Sequence, residues 1–306
     1  MKIQIKMKRF ISIICFVCSI VCCSSNTNKV SAQDSPEWLS LSKEAQERIV
    51  NDYVDALDEF AQVMPKFGQD TEAQWAADTV HTMAIALRHD QYPFHKSIAT
   101  ISQMQNYVAY GMAYFNATIG TYKEPRLARY ALNIITQSDS LYNSLKEVDF
   151  LDVRKLALFN ATSVYNMQLF NTLNRINNDR DYNREIFLSI YSIGALDSLS
   201  SVNDYSDMEI YKIASVLESF SYFQMVCPLL ALLSGTQEKY DSHIDVITDA
   251  AKHIDSQSTL IFDAIDERKK IEVMSDSDFE SWMITTSQHK VKLMKLLTKF
   301  VKEWNP

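Results

Sequence analysis

Glycine is scarce in this chain: five in 306 residues, about a quarter of the roughly 7% that average usage would supply. Phosphate-cradling loops, dinucleotide folds and nucleophile elbows use clustered glycines for positive φ or close backbone approach. Here no two glycines lie within eight residues of each other, so those architectures are excluded. Proline is also scarce, with six, and a many-stranded β architecture would need more turn residues than this. No Gly-x-Ser-x-Gly, His-Glu-x-x-His, Walker loop or Cys-x-x-Cys-His haem motif occurs. What remains is a protein of long helices without a recognisable catalytic constellation.

Cysteine is confined almost wholly to the first residues. Cys15, Cys18, Cys22 and Cys23 lie in an apolar stretch from Phe10 to Cys23 that follows Lys2, Lys6, Lys8 and Arg9, and no acidic residue precedes Asp34. This is the pattern of a secretory signal. A membrane-spanning helix needs about 20 apolar residues, and this run is shorter. Two processing outcomes compete. Val30-Ser31-Ala32 before Gln33 suits signal peptidase cleavage after Ala32, which makes 1–32 the signal peptide and 33–36 a short polar lead-in. Ile20-Val21-Cys22-Cys23 instead resembles a bacterial lipobox, with lipidation at Cys23 and Ser24 to Gln33 as tether; Cys22 departs from the small residue usual there.

Either outcome leaves Cys227 as the last cysteine of the body, in the apolar run Met225 to Leu233, where it reads as a small buried side chain. Cys15-x-x-Cys18 has no redox context. Removal of 1–32 takes five Lys/Arg and no acidic residue, so the formal charge moves from −8 to −13. Such a surface repels phosphate backbones and disfavours nucleic-acid binding.

The body carries no Gly/Ser/Pro-rich linker. Local breaks at Pro65 to Asp70, Asp90 to Pro93, Tyr122 to Pro125, Asp149, Asn177 to Asn183, Asn203 to Ser206, Gly235 and Met274 to Ser277 cut it into helix-length segments. In 93–122, Phe94, Ile98, Ile101, Gln105, Val108, Met112, Phe115, Ile119 and Tyr122 alternate spacings of four and three. Ile244, Ile247, Ala251, Ile254, Ser258, Ile261 and Ile265 repeat the pattern. A seam of this period suits helices packed along their neighbours at about 20°. Thr71-x-x-Gln74, Ser206-x-x-Glu209 and Ser277-x-x-Glu280 read as capping boxes. Gly235 reads as a helix stop. Pro228 removes the amide that would bond the Gln224 carbonyl, so a kink is expected there, and 225–233, apolar all round, reads as the most buried helix. Gly111, Gly120 and Gly194 fall inside helical patterns and mark close helix approach.

The prediction is an all-α, antiparallel up-and-down bundle of about nine long helices in a single domain over 37–304. A helical-repeat solenoid is the alternative, and a sub-division near 149 the alternative boundary.

Six histidines could serve as ligands. Diiron bundles need paired Glu-x-x-His turns, and only Asp78-x-x-His81 comes near. His89, Asp90 and His95 bracket the Pro93 turn and are the candidate metal ligands, with no fourth ligand visible. Asp245, Asp249 and His253 form a ladder that reads as a solvated acidic face. His289 lies on the stripe Trp282, Thr286, His289, Leu293, Leu296 and Phe300 and reads as a core histidine satisfied by a neighbour. Asp179-x-Asp181-x-Asn183 and Asp276-x-Asp278-x-Glu280 lack the glycine and final glutamate of a calcium loop. Tyr107, Tyr110, Tyr114, Tyr122 and Tyr130 crowd one region and suit either a ligand groove or boundary positions with wet hydroxyls.

The functional expectation is an exported envelope protein, periplasmic, secreted or lipid-anchored. It reads as a non-enzymatic binding or interaction module for a protein or small ligand, with no cofactor, catalytic residue or mature transmembrane helix. The alternatives are a metal-binding or enzymatic bundle using scattered His and Asp, and a ligand-sensing partner of a membrane protein.

Overall fold

A computed structural model of the chain describes residues 42–67, 71–90, 92, 94–119, 125–145, 152–157, 159–160, 163 and 205–304. The leader with Cys23 and Ala32, residues 33–36, Gly68, Gly120, Gly194 and the string Asp179 to Asn183 lie outside these, as do the side chains of Tyr114, Tyr122 and Tyr130. Of the described residues 88% are helical and none is in a strand, so the protein is an all-α bundle. Its helices are α1 (Lys43–Ala61), a 3-10 turn Met64–Phe67, α2 (Thr71–His89), α3 (Phe94–Ile119) and α4 (Pro125–Ser144). After these come α5 (Asp207–Ser234), α6 (Gln237–Asp241), α7 (Ile244–Asp266) and α8 (Asp276–Glu303).

Consecutive helices pack as neighbours: α1 on α2, α2 on α3, α3 on α4, and α7 on α8, joined by short connections. The bundle then closes on itself, because α8 packs along both α1 and α5. A solenoid gives contacts only between successive repeats, so closure of the first described helix on the last excludes that alternative. Helical residues on the two sides of Asp149 also meet, since Asn106 Nδ2 donates to Ser163 Oγ at 3.1 Å.

Sequence chemistry sets the ends. At α5, Ser206 Oγ accepts from the Glu209 amide at 3.2 Å and Glu209 Oε2 accepts from the Ser206 amide at 2.7 Å, the reciprocal box expected there. Gly235 ends α5 with φ +71°, a left-handed conformation costly for any side-chain-bearing residue. The cap of α8 lies two residues earlier than expected: Ser275 Oγ accepts from the Asp278 amide at 3.2 Å, and Ser277 is already helical. In α2 the Gln74 amide points forward to Asp78 at 2.7 Å, not back to a cap.

The most enclosed stretch is 99–112 of α3, where every residue is buried, including Thr100, Ser102, Gln103, Gln105 and Asn106. This differs from the expectation for 225–233. There Pro228, Ala231 and Leu232 face solvent, Leu232 at 56% exposure, and the uniformly enclosed part of α5 is its middle. The helix continues through Pro228 without a break. Among the described residues α5 alone is long and apolar enough to cross a membrane by composition. Two thirds of its apolar window is nonetheless buried against other helices. Gly111 does mark a close approach: a Cβ there would stand 2.2 Å from the Met64 methyl of the 3-10 turn.

The core forms two apolar clusters. One joins α1, α2, α3, the second half of α5 and the second half of α8 around Leu57, Phe60, Met104, Val226 and Leu297. The other joins Leu156 and Phe159 to the first halves of α5 and α8 around Tyr211, Leu217, Phe279 and Trp282. Between them, on both α5 and α8, the sequence supplies charged and polar residues.

Candidate functional site

Glu218 on α5 falls one residue after Leu217 of one cluster and four before Tyr222 of the other. Lys290 on α8 lies eight residues after Trp282 and three before Leu293, which places it on the inward stripe. The two side chains meet in the interior, Lys290 Nζ to Glu218 Oε2 at 2.5 Å, with about 7% of each exposed. Glu218 Oε1 accepts from Gln105 Nε2 of α3 at 2.5 Å, and Oε2 also accepts from Ser219 Oγ at 3.3 Å. Three helices therefore converge on one carboxylate, as burial of a charge requires.

A layer of tyrosines surrounds the pair. The Lys290 ammonium lies 5.3 Å from the Tyr222 ring centre, and the Tyr222 hydroxyl donates back to the Lys290 carbonyl at 3.3 Å. Tyr53 of α1 packs edge-on against Tyr222 with ring centres 6.4 Å apart. Burial pushes the Tyr53, Tyr222 and Tyr211 hydroxyls up, Tyr211 to about 12, and the Glu218 carboxylate adds to the shift. All three remain protonated and able to donate hydrogen bonds at neutral pH.

Beside the pair lies a cavity of about 70 Å³. Each water needs about 10–15 Å³ measured this way, so it holds roughly five. Glu218, Lys290, Gln105, Tyr53, Tyr211 and Trp282 line it, with serine hydroxyls between them and half-exposed Ile98, Met283 and Ser287 at the rim. The Trp282 indole N–H is buried and has no acceptor among the described residues.

The residues singled out from sequence lie elsewhere or play other parts. His89 and Asp90 are exposed at the end of α2, and His95 is half-buried in the first turn of α3 with Nε2 unpartnered. Among the described residues no three His, Cys, Asp or Glu side chains gather as a metal would need. His81 pairs with Asp58 of α1 at 2.8 Å instead of Asp78, and Arg88 holds the other Asp58 oxygen at 2.8 Å. Asp276 pairs with Lys212 at 2.7 Å at the start of α8. Tyr107 and Tyr110 are fully buried against Trp75, at 5.3 and 5.9 Å between ring centres, so they form neither an open groove nor a wet boundary.

His253 and His289 both depart from the places expected from sequence. His253 leaves the acidic ladder and turns inward. It stacks on Trp282 at 5.9 Å, bonds Thr286 Oγ1 at 3.0 Å and faces His289 at 5.3 Å. His289 is not satisfied by a neighbour, because its Nδ1 is buried without a hydrogen-bond partner. Burial lowers the pKa of both rings, and for His289 the neighbouring His253 and Lys292 lower it further while Asp249 opposes.

Glu218, Lys290 and Gln105 are not among the candidate site residues expected from sequence. A signal existed for each. Glu218 is the one charged residue in 213–234, and Gln105 is the one polar member of the seam from Phe94 to Tyr122. Lys290 occupies a stripe position between Thr286 and Leu293. Set against known proteins, the chain matches no family model and no curated relative.

Proposed function

We propose that the protein is an exported, non-enzymatic helical binding module that takes a small molecule into the cavity beside Glu218 and Lys290. The carrying observation is a compensated interior ion pair beside a mainly apolar cavity lined in part by Trp282, whose buried indole N–H has no acceptor among the described residues. A bundle selected for stability alone would fill this space with apolar side chains, since a buried ion pair is often matched or exceeded by well-packed hydrophobic residues. Ligand sites favour such concave, largely apolar spaces with a few converging polar groups.

Export rests on the basic and apolar segment before Asp34. Intact mass of the native protein separates the two processing routes, a chain starting at Gln33 or one starting at a lipidated Cys23. For the cavity, the test is a thermal shift of the mature protein with the fraction of envelope extract below about 500 Da. Ligand at 100 times its Kd stabilises by about 2.7 kcal/mol. The expected outcome is a raised Tm for the native chain and none for Ser102→Met, which fills the cavity from α3. Equal shifts for both would place binding outside the cavity and overturn the assignment.

A further inference from the structure

The hydrogen-bonding inventory of the cavity narrows what it takes. Glu218 and Lys290 are the only ionised groups among the described lining residues, and they neutralise each other at 2.5 Å. A cation entering the cavity would find both carboxylate oxygens already engaged, Oε1 by Gln105 and Oε2 by Lys290 and Ser219. An anion would meet an ammonium already matched to its carboxylate. Either would bring an uncompensated charge into a site with zero net charge, at a cost that interior ion burial makes large.

Donors, by contrast, are in surplus. The Trp282 indole N–H is donor-only and has no acceptor among the described residues, although the residue is only 6% exposed. Lys290 carries three N–H groups and gives one to Glu218, with the Tyr222 ring as its other neighbour. Buried donors of this kind favour a ligand rich in acceptors. Hydroxyl groups suit the site best, because each offers two acceptor lone pairs and one donor. That donor can go to Gln105 Oε1 or the serine hydroxyls of the wall. Five displaced waters, each with a liquid volume of about 30 Å³, leave room for on the order of ten non-hydrogen atoms.

We infer that the cavity binds a small uncharged polyhydroxy compound, a linear polyol or pentose-sized sugar, with oxygens on the Trp282 and Lys290 donors and carbon skeleton against Ile98, Ile101 and Met283. This rests on the binding-module reading above. The test is calorimetric titration of the mature protein with three five-carbon probes that differ at one end: ribitol, ribonate and ribitylamine. Ribitol is expected to bind with a Kd below about 1 mM, at least tenfold tighter than the anionic or cationic analogue, consistent with a loss of about 1.4 kcal/mol. Trp282→Phe, which keeps the ring and removes the N–H, is expected to weaken ribitol about tenfold. Ser102→Met, checked for retained helicity, is expected to abolish binding without touching either donor.

Ribonate or ribitylamine binding as tightly as ribitol overturns the uncharged class while leaving cavity binding in place. The same holds if none of the three binds but the small-molecule extract still raises the Tm of the native chain alone. If neither the probes nor the extract distinguishes the native chain from Ser102→Met, both the ligand class and the binding-module reading fail.

Discussion

Glu218 and Lys290 stand 72 positions apart in sequence and meet at 2.5 Å in the interior of the bundle. Their contact ties α5 to α8, and Gln105 adds α3 through the second carboxylate oxygen. The layer separates two apolar clusters, so the register of three helices is linked to one set of polar contacts.

Removing one member of that pair leaves a buried, uncompensated charge. Lys290→Met is expected to cost about 3–5 kcal/mol in urea unfolding, whereas Glu218→Leu/Lys290→Met is expected to recover most of that loss. A double variant as unstable as the single would mean that the ion pair itself, and not the uncompensated charge, supplies the stability.

Gly111 should resist a side chain. A Cβ there meets the Met64 methyl at 2.2 Å, and Met64 is fully buried, so its displacement propagates into the core. Overpacking costs about 1–3 kcal/mol, while alanine recovers about 1 kcal/mol of helix propensity. Gly111→Ala is therefore expected to lose about 1 kcal/mol net, and pairing it with the shorter Met64→Leu should return part of that. Thermal unfolding of the two variants measures the difference, and a stabilised single variant would contradict the packing.

Much of the fold was legible because helix periodicity and capping are local. The 244–265 seam falls on α7, the Ser206 box forms as written, and Gly235 stops α5. The α8 cap was misplaced because Ser275 and Ser277 are both serines followed three residues later by an acid; only the backbone shows which hydroxyl precedes the helix. Burial was less legible. The run 225–233 is more apolar than 99–112, yet the second is the enclosed one, because burial follows the number of surrounding helices. The site was least legible of all. Glu218, Gln105 and Lys290 come from three helices, and only the packing of α3, α5 and α8 brings them together. His253 and His289, 36 positions apart, were hidden for the same reason.

Cys227 is expected to be inert. Its side chain is partly buried rather than enclosed, packed against the larger core cluster, and desolvation pushes its thiol well above the ordinary value, with Asp255 adding to the shift. In the chain beginning at Gln33 it should resist a thiol reagent such as DTNB at pH 8 and react once with the unfolded protein. Stoichiometric labelling within minutes in native buffer would show an open site at this position.

The His253 and His289 rings give stability a pH dependence of definite sign. His253 lies against Trp282 and Thr286 of the cavity wall and His289 faces His253, and desolvation lowers both below the ordinary 6.5, as it does for the separate His95. Lys292 and the facing His253 act on His289 in the same direction, and Asp249 opposes them. A histidine whose folded pKa is depressed binds its proton more readily when unfolded. Folding stability from these groups is thus fully present above pH about 6.5 and is lost as pH falls toward the folded values. Urea unfolding at intervals from pH 7.5 to 5.5 should show a falling midpoint. His253→Gln/His289→Gln should flatten that fall, leaving the part due to His95. A midpoint that rises with acidification would mean that the two rings are charged in the folded protein and face a partner that stabilises the charge, which would place Asp249 much closer to them than Lys292.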